Sequence, residues 1–186
     1  MKQILVIMAA VVLVGCSKDT PEPVSPAEEK VIADPIVEEA IRKLLNKHEG
    51  ELTEADLGRP ISLSLENTDI TDDGLKEVTK LDLAGGLDLK GTQITDAGLK
   101  DVAKLQKLTV LDLDGTNITD AGLKEVAKLQ NLTFLSLGGT IITDAGLKDV
   151  AKLQNLTFLS LGGTKVTAAG AAELQKALPN CEIVGP

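Results

Sequence analysis

Apolar and polar positions alternate along this chain in two rhythms that change over at fixed points. Leu111 and Leu113 flank Asp112, which is the period of a strand; Leu123, Val126, Ala127 and Leu129 then follow the spacing of a helix. The pair of rhythms returns every 24 residues. Leu63, Leu87, Leu111, Leu135 and Leu159 form one column, and Leu65, Leu89, Leu113, Leu137 and Leu161 a second. Thr68, Thr92, Thr116, Thr140 and Thr164 form a third, with Gly74, Gly98, Gly122, Gly146 and Gly170 a fourth. A period of this length predicts stacked units, each too small to bury a core alone. Strands stack every ~4.8 Å while packed helices need about 8–10 Å, so the stack must curve with its helices outside.

The flanks of the repeat read differently. Residues 34–60 predict a helical N-terminal cap. Asp34 and Pro35 supply a capping side chain and a proline at the first helical position. Ile36, Val37, Ala40, Ile41, Leu44 and Leu45 share one face, and Gly50 is the expected stop. Thr53 and Asp56 predict one further short turn of helix. At the other end, Ala168 to Ala172 replace the usual charges and leucine, Pro179 stops the last helix, and Cys181 to Val184 predict a closing edge strand.

Residues 1–15 place Lys2 before the apolar run Ile4 to Val14, too short to span a bilayer and typical of an export signal. Leu13, Val14, Gly15 and Cys16 resemble the lipobox of bacterial lipoproteins. That resemblance implies cleavage before Cys16 and acylation of its thiol and amine, which exceeds the two signals needed for stable membrane anchoring. It also implies, through Ser17 rather than Asp after the cysteine, retention at the outer membrane of the cell envelope. Residues 16–33 then form the lipidated cysteine and a tether, with Pro21, Pro23 and Pro26 among charges and no apolar period.

Each unit over residues 61–186 reads LxxLxLxxTxI followed by TDxGLxxVxxL, in five copies without an insertion. This resembles the leucine-rich repeat family, in a bacterial form that carries Thr where many members carry Asn or Cys. The resemblance implies an α/β right-handed solenoid with parallel strands on the concave face and short helices on the convex face. It further implies a cap like that of internalins, and a non-catalytic role in binding protein or peptide.

Composition sharpens this picture in three ways. Apolar residues make up 43% of the chain but only two residues are aromatic, so the core must be aliphatic. The formal net charge of −9, with no visible run or stripe of Lys and Arg, argues against nucleic acid as a partner. On the helices, Asp72–Lys76, Asp96–Lys100, Asp120–Lys124 and Asp144–Lys148 are spaced as i,i+4 ion pairs of a solvated, structural convex side.

Candidate binding residues are those between the inward leucines. Ser62, Gly86, Val110, Phe134 and Phe158 form one outward row; Ser64, Asp88, Asp112, Ser136 and Ser160 a second; Glu66, Lys90, Asp114, Gly138 and Gly162 a third. The surface is acidic toward one end, through Glu66, Asp88, Asp112 and Asp114, and aromatic toward the other. Exposed rings beside small residues suit recognition, while stacking of Phe134 on Phe158 across neighbouring strands would merely shield the sheet. Five strands of about four residues give a sheet of roughly 300 Å². A standard interface takes about 800 Å² per partner, so a short peptide or tether-assisted contact fits better than a large protein surface.

Other chemistry finds little to work with. The acidic cluster offers oxygen ligands for Ca²⁺ but lacks loop spacing for it. His48 is the one histidine and Cys181 the one cysteine after Cys16, which leaves no zinc set and no intrachain disulfide in the mature chain. Cys181 takes an inward leucine position if the last helix is one residue longer than its fellows. No nucleophile has a base in reach, so the chain reads as a monomeric non-enzyme needing no cofactor, held to the membrane through Cys16. A spacer lipoprotein without a specific ligand is the alternative.

Overall fold

The computed structural model describes residues 30–58 and 62–186. The expected signal peptide (1–15), Cys16 and the expected tether through residue 29 lie outside the described residues, as do 59–61.

Two helices come first, α1 (Pro35–Leu45) and α2 (Glu54–Leu57). Strands and helices then alternate: β1 (Leu63–Ser64), α3 (Leu75–Val78), β2 (Gly86–Asp88), α4 (Leu99–Val102), β3 (Val110–Asp112) and α5 (Asp120–Val126). The series continues with β4 (Phe134–Ser136), α6 (Leu147–Val150), β5 (Phe158–Ser160), α7 (Ala168–Ala177) and β6 (Glu182–Val184). The strands form one parallel sheet in the order β1 to β6. Every partner lies 24 residues on, as in Leu63↔Leu87, Leu111↔Leu135 and Phe134↔Phe158. Among the described residues no helix is long and apolar enough to cross a membrane.

The two leucine columns point inward and are at most 2% exposed. Isoleucines Ile70, Ile94, Ile118 and Ile142 and the helix leucines complete a core without an aromatic ring. Each threonine of the third column bends back on its own strand: Thr92, Thr116 and Thr140 donate Oγ–H to Leu89, Leu113 and Leu137 carbonyls at 2.6 Å. That bond satisfies a carbonyl buried at the turn. Gly91, Gly115, Gly139 and Gly163 precede these threonines at φ between 67° and 73°, the left-handed region that the turn demands.

The convex helices are shorter than the apolar period suggests, four residues in α3, α4 and α6. The recurring glycine explains itself there. A Cβ on Gly98 would lie 2.5 Å from Asp72 Oδ1 and 2.8 Å from Leu75 Cδ1 of the preceding unit, so close stacking excludes any side chain. The aspartates in that gap overturn the expected ion pairs. Asp72 accepts from the N–H of Thr95 at 2.9 Å and its hydroxyl at 2.7 Å. Asp96 does the same to Thr119, Asp120 to Thr143 and Asp144 to Thr167. Of the lysines in those expected pairs, Lys76 turns to Asp73 at 2.6 Å, and the i,i+3 ion pairs of the next units are made by other lysines, Lys104 with Asp101 and Lys128 with Glu125, both at 2.6 Å.

Asp34 opens α1 by accepting from Ile36 N and Val37 N, and Pro35 takes the first position. The helix stops earlier than Gly50, at Asn46, which adopts φ 51°. Val37 and Ile41 are fully buried, whereas Leu44 is 45% exposed. The folded region begins before Asp34: Ile32 is 2% exposed, and Ala33 N–H donates to Glu77 Oε2 at 2.7 Å. Residues 30–33, read as tether, therefore pack on the first unit. Thr53 and Asp56 close a reciprocal capping box on α2, and the bond from Lys47, then those from Thr53, hold the Asp56 carboxyl well below the usual range.

Candidate functional site

The outward rows lie side by side on the sheet because register is kept at every strand. Gly86 faces Val110, Val110 faces Phe134 and Phe134 faces Phe158; Asp88, Asp112, Ser136 and Ser160 follow in the next row. Beyond them β6 adds Glu182 and Val184.

At the C-terminal side the two phenylalanine rings stack at 4.7 Å and 5°, and both are half-buried. The pair is thus a cross-strand ladder, partly open to solvent. Ser136 departs from expectation: it is 4% exposed, because its hydroxyl donates to Asp114 Oδ1 at 2.6 Å. The same oxygen accepts from Gly138 N at 2.6 Å. Ser136 is therefore not open to a ligand, and Asp114 is already committed to the sheet edge. Ser160 stays half-buried.

The N-terminal side is more open. Val110 is 38% exposed, and Glu66 and Lys90 form an exposed ion pair at 3.7 Å, worth little in stability. Asp88 accepts from Lys90 N at 3.0 Å through Oδ1 and from the Ser64 hydroxyl at 3.3 Å through Oδ2. Asp112 accepts only from Asp114 N, at 2.9 Å. Partial burial pushes the Asp112 carboxyl above its ordinary range, against the Asp114 N–H, and the neighbouring charges of Asp114 and Asp88 add to the rise. These residues border an open hollow of about 500 Å³ lined by Ser62, Gly86, Asp88, Val110, Asp112 and Phe134. A second hollow of about 680 Å³, between α1 and the first unit, shares Ser62 and Ser64 with it.

Among the described residues, no group of three or more His, Cys, Asp or Glu side chains could hold a metal ion. His48 shares a hydrogen bond with Asn46 Oδ1 at 3.1 Å. Cys181 is 4% exposed, and burial followed by the Glu182 charge pushes its thiol up. Its N–H bonds to Leu178 O as Leu156 N–H bonds to Leu153 O, so Cys181 stands in for a core leucine one residue late. Glu182 nonetheless pairs with Phe158, so the strand regains the 24-residue register at once.

Two features escaped sequence reading. Lys104, Lys128 and Lys152, 24 residues apart and just past the ends of α4, α5 and α6, each pair at 2.6 Å with an acid of their own unit, Asp101, Glu125 and Asp149. Asp149 is only 4% exposed and one of its oxygens is unpartnered. The asparagines of the repeated Asn-Leu-Thr are ladder groups: Asn131 and Asn155 donate to Gln106 O and Gln130 O of the preceding unit at 2.8 and 2.9 Å. The signal for both was the 24-residue recurrence itself.

Residues 87–103, 104–127 and 128–151 match the family model described as Leucine Rich repeat. No curated protein matches the chain. Among solved structures, it is similar to a leucine-rich repeat protein of Leptospira interrogans, at 28% identity and TM-score 0.46, over 59% of this chain and 27% of that one. It is also similar to internalin C2 of Listeria monocytogenes, at 26% identity and TM-score 0.44, over 83% of this chain and 84% of that one. A further internalin of Listeria monocytogenes, InlF, is 19% identical with TM-score 0.47, over 83% of this chain and 56% of that one. The chain spans about a quarter of the Leptospira protein's length. The chain carries leucine-rich repeats and folds as an open α/β solenoid of parallel strands and short helices.

Proposed function

We propose that this chain is an envelope-anchored, non-catalytic module that binds a protein or peptide on its concave face. One observation carries the reading: on the strands the inward leucines recur in every unit, while the outward positions between them change from Ser62, Gly86 and Val110 to Phe134 and from Ser64 and Asp88 to Ser136. Leucine-rich repeats generally mediate protein contacts, and here the varying positions border an open hollow of about 500 Å³, within the range of peptide and small-ligand sites. Anchoring rests on the run ending Leu13, Val14, Gly15 and Cys16 and on the Pro-rich residues after it. With Ser17 next, the outer membrane is the favoured location.

A pull-down from envelope extract, using the wild type and a Phe134→Ala/Phe158→Ala double variant, tests the site. Loss of a partner in the variant is expected, and equal recovery of every partner refutes the site. Labelling with radioactive palmitate tests the anchor, which Cys16→Ala should abolish. The stacking of Phe134 on Phe158 favours a second reading, a spacer lipoprotein whose rings serve only each other. Deletion that alters envelope integrity while leaving every protein contact unchanged would support it.

A further inference from the structure

With the concave face as the binding surface, which this inference presupposes, the N-terminal half carries the more selective chemistry. The outward row grows in size from Gly86 through Val110 to Phe134, so a step opens over Gly86. A Cβ added there meets nothing nearer than Val110 Cβ at 3.4 Å. Phe134 forms the far wall of the hollow. One face of its ring is taken by Phe158 in parallel stacking, and the strand order turns the other face toward Val110. This first row is thus an apolar slot with an aromatic end.

Two residues along the strands, about 6.6 Å away, Asp88 and Asp112 lie paired in register. Their hydrogen bonding is incomplete. Asp112 Oδ2 has no partner among the described residues, and Asp88 Oδ2 has only the long bond from Ser64. Lys90, the cation of these rows, is turned to Glu66. Two half-buried carboxylates therefore stand beside an apolar slot with no ion pair among the described residues, Lys90 reaching Asp112 through its charge alone.

We infer that the hollow receives the side chain of an arginine or lysine on an extended segment of a protein partner. Its methylene stem lies over Gly86 and Val110 against the free face of Phe134, and its charged head sits between Asp88 and Asp112. An amphipathic cationic side chain suits a site that is apolar at one end and anionic at the other. Arginine fits better than lysine, because its planar fork serves two carboxylates and stacks on a ring. An acidic side chain would add a third like charge, and a purely apolar one would bury Asp112 further without a counter-charge. The chain's own tether is a poor occupant, since Lys18 is outnumbered by Asp19, Glu22, Glu28 and Glu29.

The test is selection of a phage-displayed random peptide library on the purified full chain, with Gly86→Trp as counter-selection to fill the hollow. Circular dichroism checks that each variant folds. Enriched sequences should share an Arg or Lys. Synthetic peptides made from them should bind Asp112→Asn and Asp88→Asn about tenfold more weakly, and more weakly still as NaCl rises. Asp82→Asn, at an acid paired with Lys107 away from the hollow, should change nothing. Enriched peptides that lack a cation, or that ignore both aspartate variants, overturn the inference. If such peptides are still lost by Gly86→Trp and Phe134→Ala, the concave surface stands; if they survive both, that reading falls too. Enrichment of no peptide also overturns the inference, while a partner lost from the Phe134→Ala/Phe158→Ala pull-down would preserve the broader reading.

Discussion

Aspartates recur at 24-residue spacing on both faces of this solenoid, and the two sets behave oppositely. On the convex side both oxygens of Asp72, Asp96, Asp120 and Asp144 are occupied by a threonine of the next unit. On the concave side Asp112 holds one backbone N–H and nothing more. The titration directions follow. The backbone and then the hydroxyl of Thr167 hold the Asp144 carboxyl below its usual range, whereas burial pushes that of Asp112 up. Recurrence alone therefore does not say what an aspartate does in this fold. The bonds that its oxygens accept differ from face to face, with Asp88 between the two extremes.

The largest test of this contrast is Asp120→Ala. It leaves the Thr143 N–H and hydroxyl without their charged acceptor, and should lower stability by about 2–4 kcal/mol in urea denaturation at pH 7. Asp88→Asn in the same assay should change it by less than about 0.5 kcal/mol. Equal effects would erase the distinction between the faces. Gly122→Ala comes next, at a cost of about 1–3 kcal/mol, since its Cβ would collide with Asp96 and lie 2.8 Å from Leu99 Cδ1. Combined with Asp96→Ala the loss should be less than additive, because the first obstacle is then gone. Smaller again is the coupling between Phe134 and Phe158, about 1 kcal/mol by a double-mutant cycle with alanine. A cycle near zero would mean the rings are held apart by their strands and free to serve a partner.

The smallest effect has the opposite sign. The folded state binds a proton at Asp112 more tightly than the unfolded chain, so its charge costs stability at neutral pH. The cost is relieved as pH falls through the raised value. Asp112→Asn should therefore raise the melting temperature at pH 7 by about 1–2 °C, with the gain vanishing toward pH 3. Asp144 runs the other way. Its contribution is complete above the ordinary carboxylate range near 3.8 and is lost as pH drops through its lower folded value.

Much of the architecture was legible because the inward leucines, the turn glycines and the threonines recur without slippage. Strand register in particular needed nothing beyond the spacing of Leu111 and Leu135. The side chains' partners were less legible. Asp72 and Lys76 sit four apart, a spacing that suggests an ion pair, but the glycine gap brings the next unit's threonine closer than any lysine. Ser136 counts as outward by alternation, yet the shortening of its neighbour to Gly138 lets Asp114 close over it. Neither contact is encoded within one unit. Both depend on how two units meet, and only a three-dimensional stack supplies that.

The aspartate–threonine ladder also says how such a chain can grow. Each interior unit passes one carboxylate forward and receives one on its threonine. Asp34, ahead of the repeats, lies over Gly74 as Asp72 lies over Gly98, and after Thr167 the residue in the carboxylate's place is Ala168. A duplicated 24-residue block inserted between any two units would find a donor before it and an acceptor behind it, with both ends unchanged. Duplication can therefore lengthen the concave sheet in steps of about 4.8 Å, and point substitutions between the leucines can then give each new strand its own outward side chains.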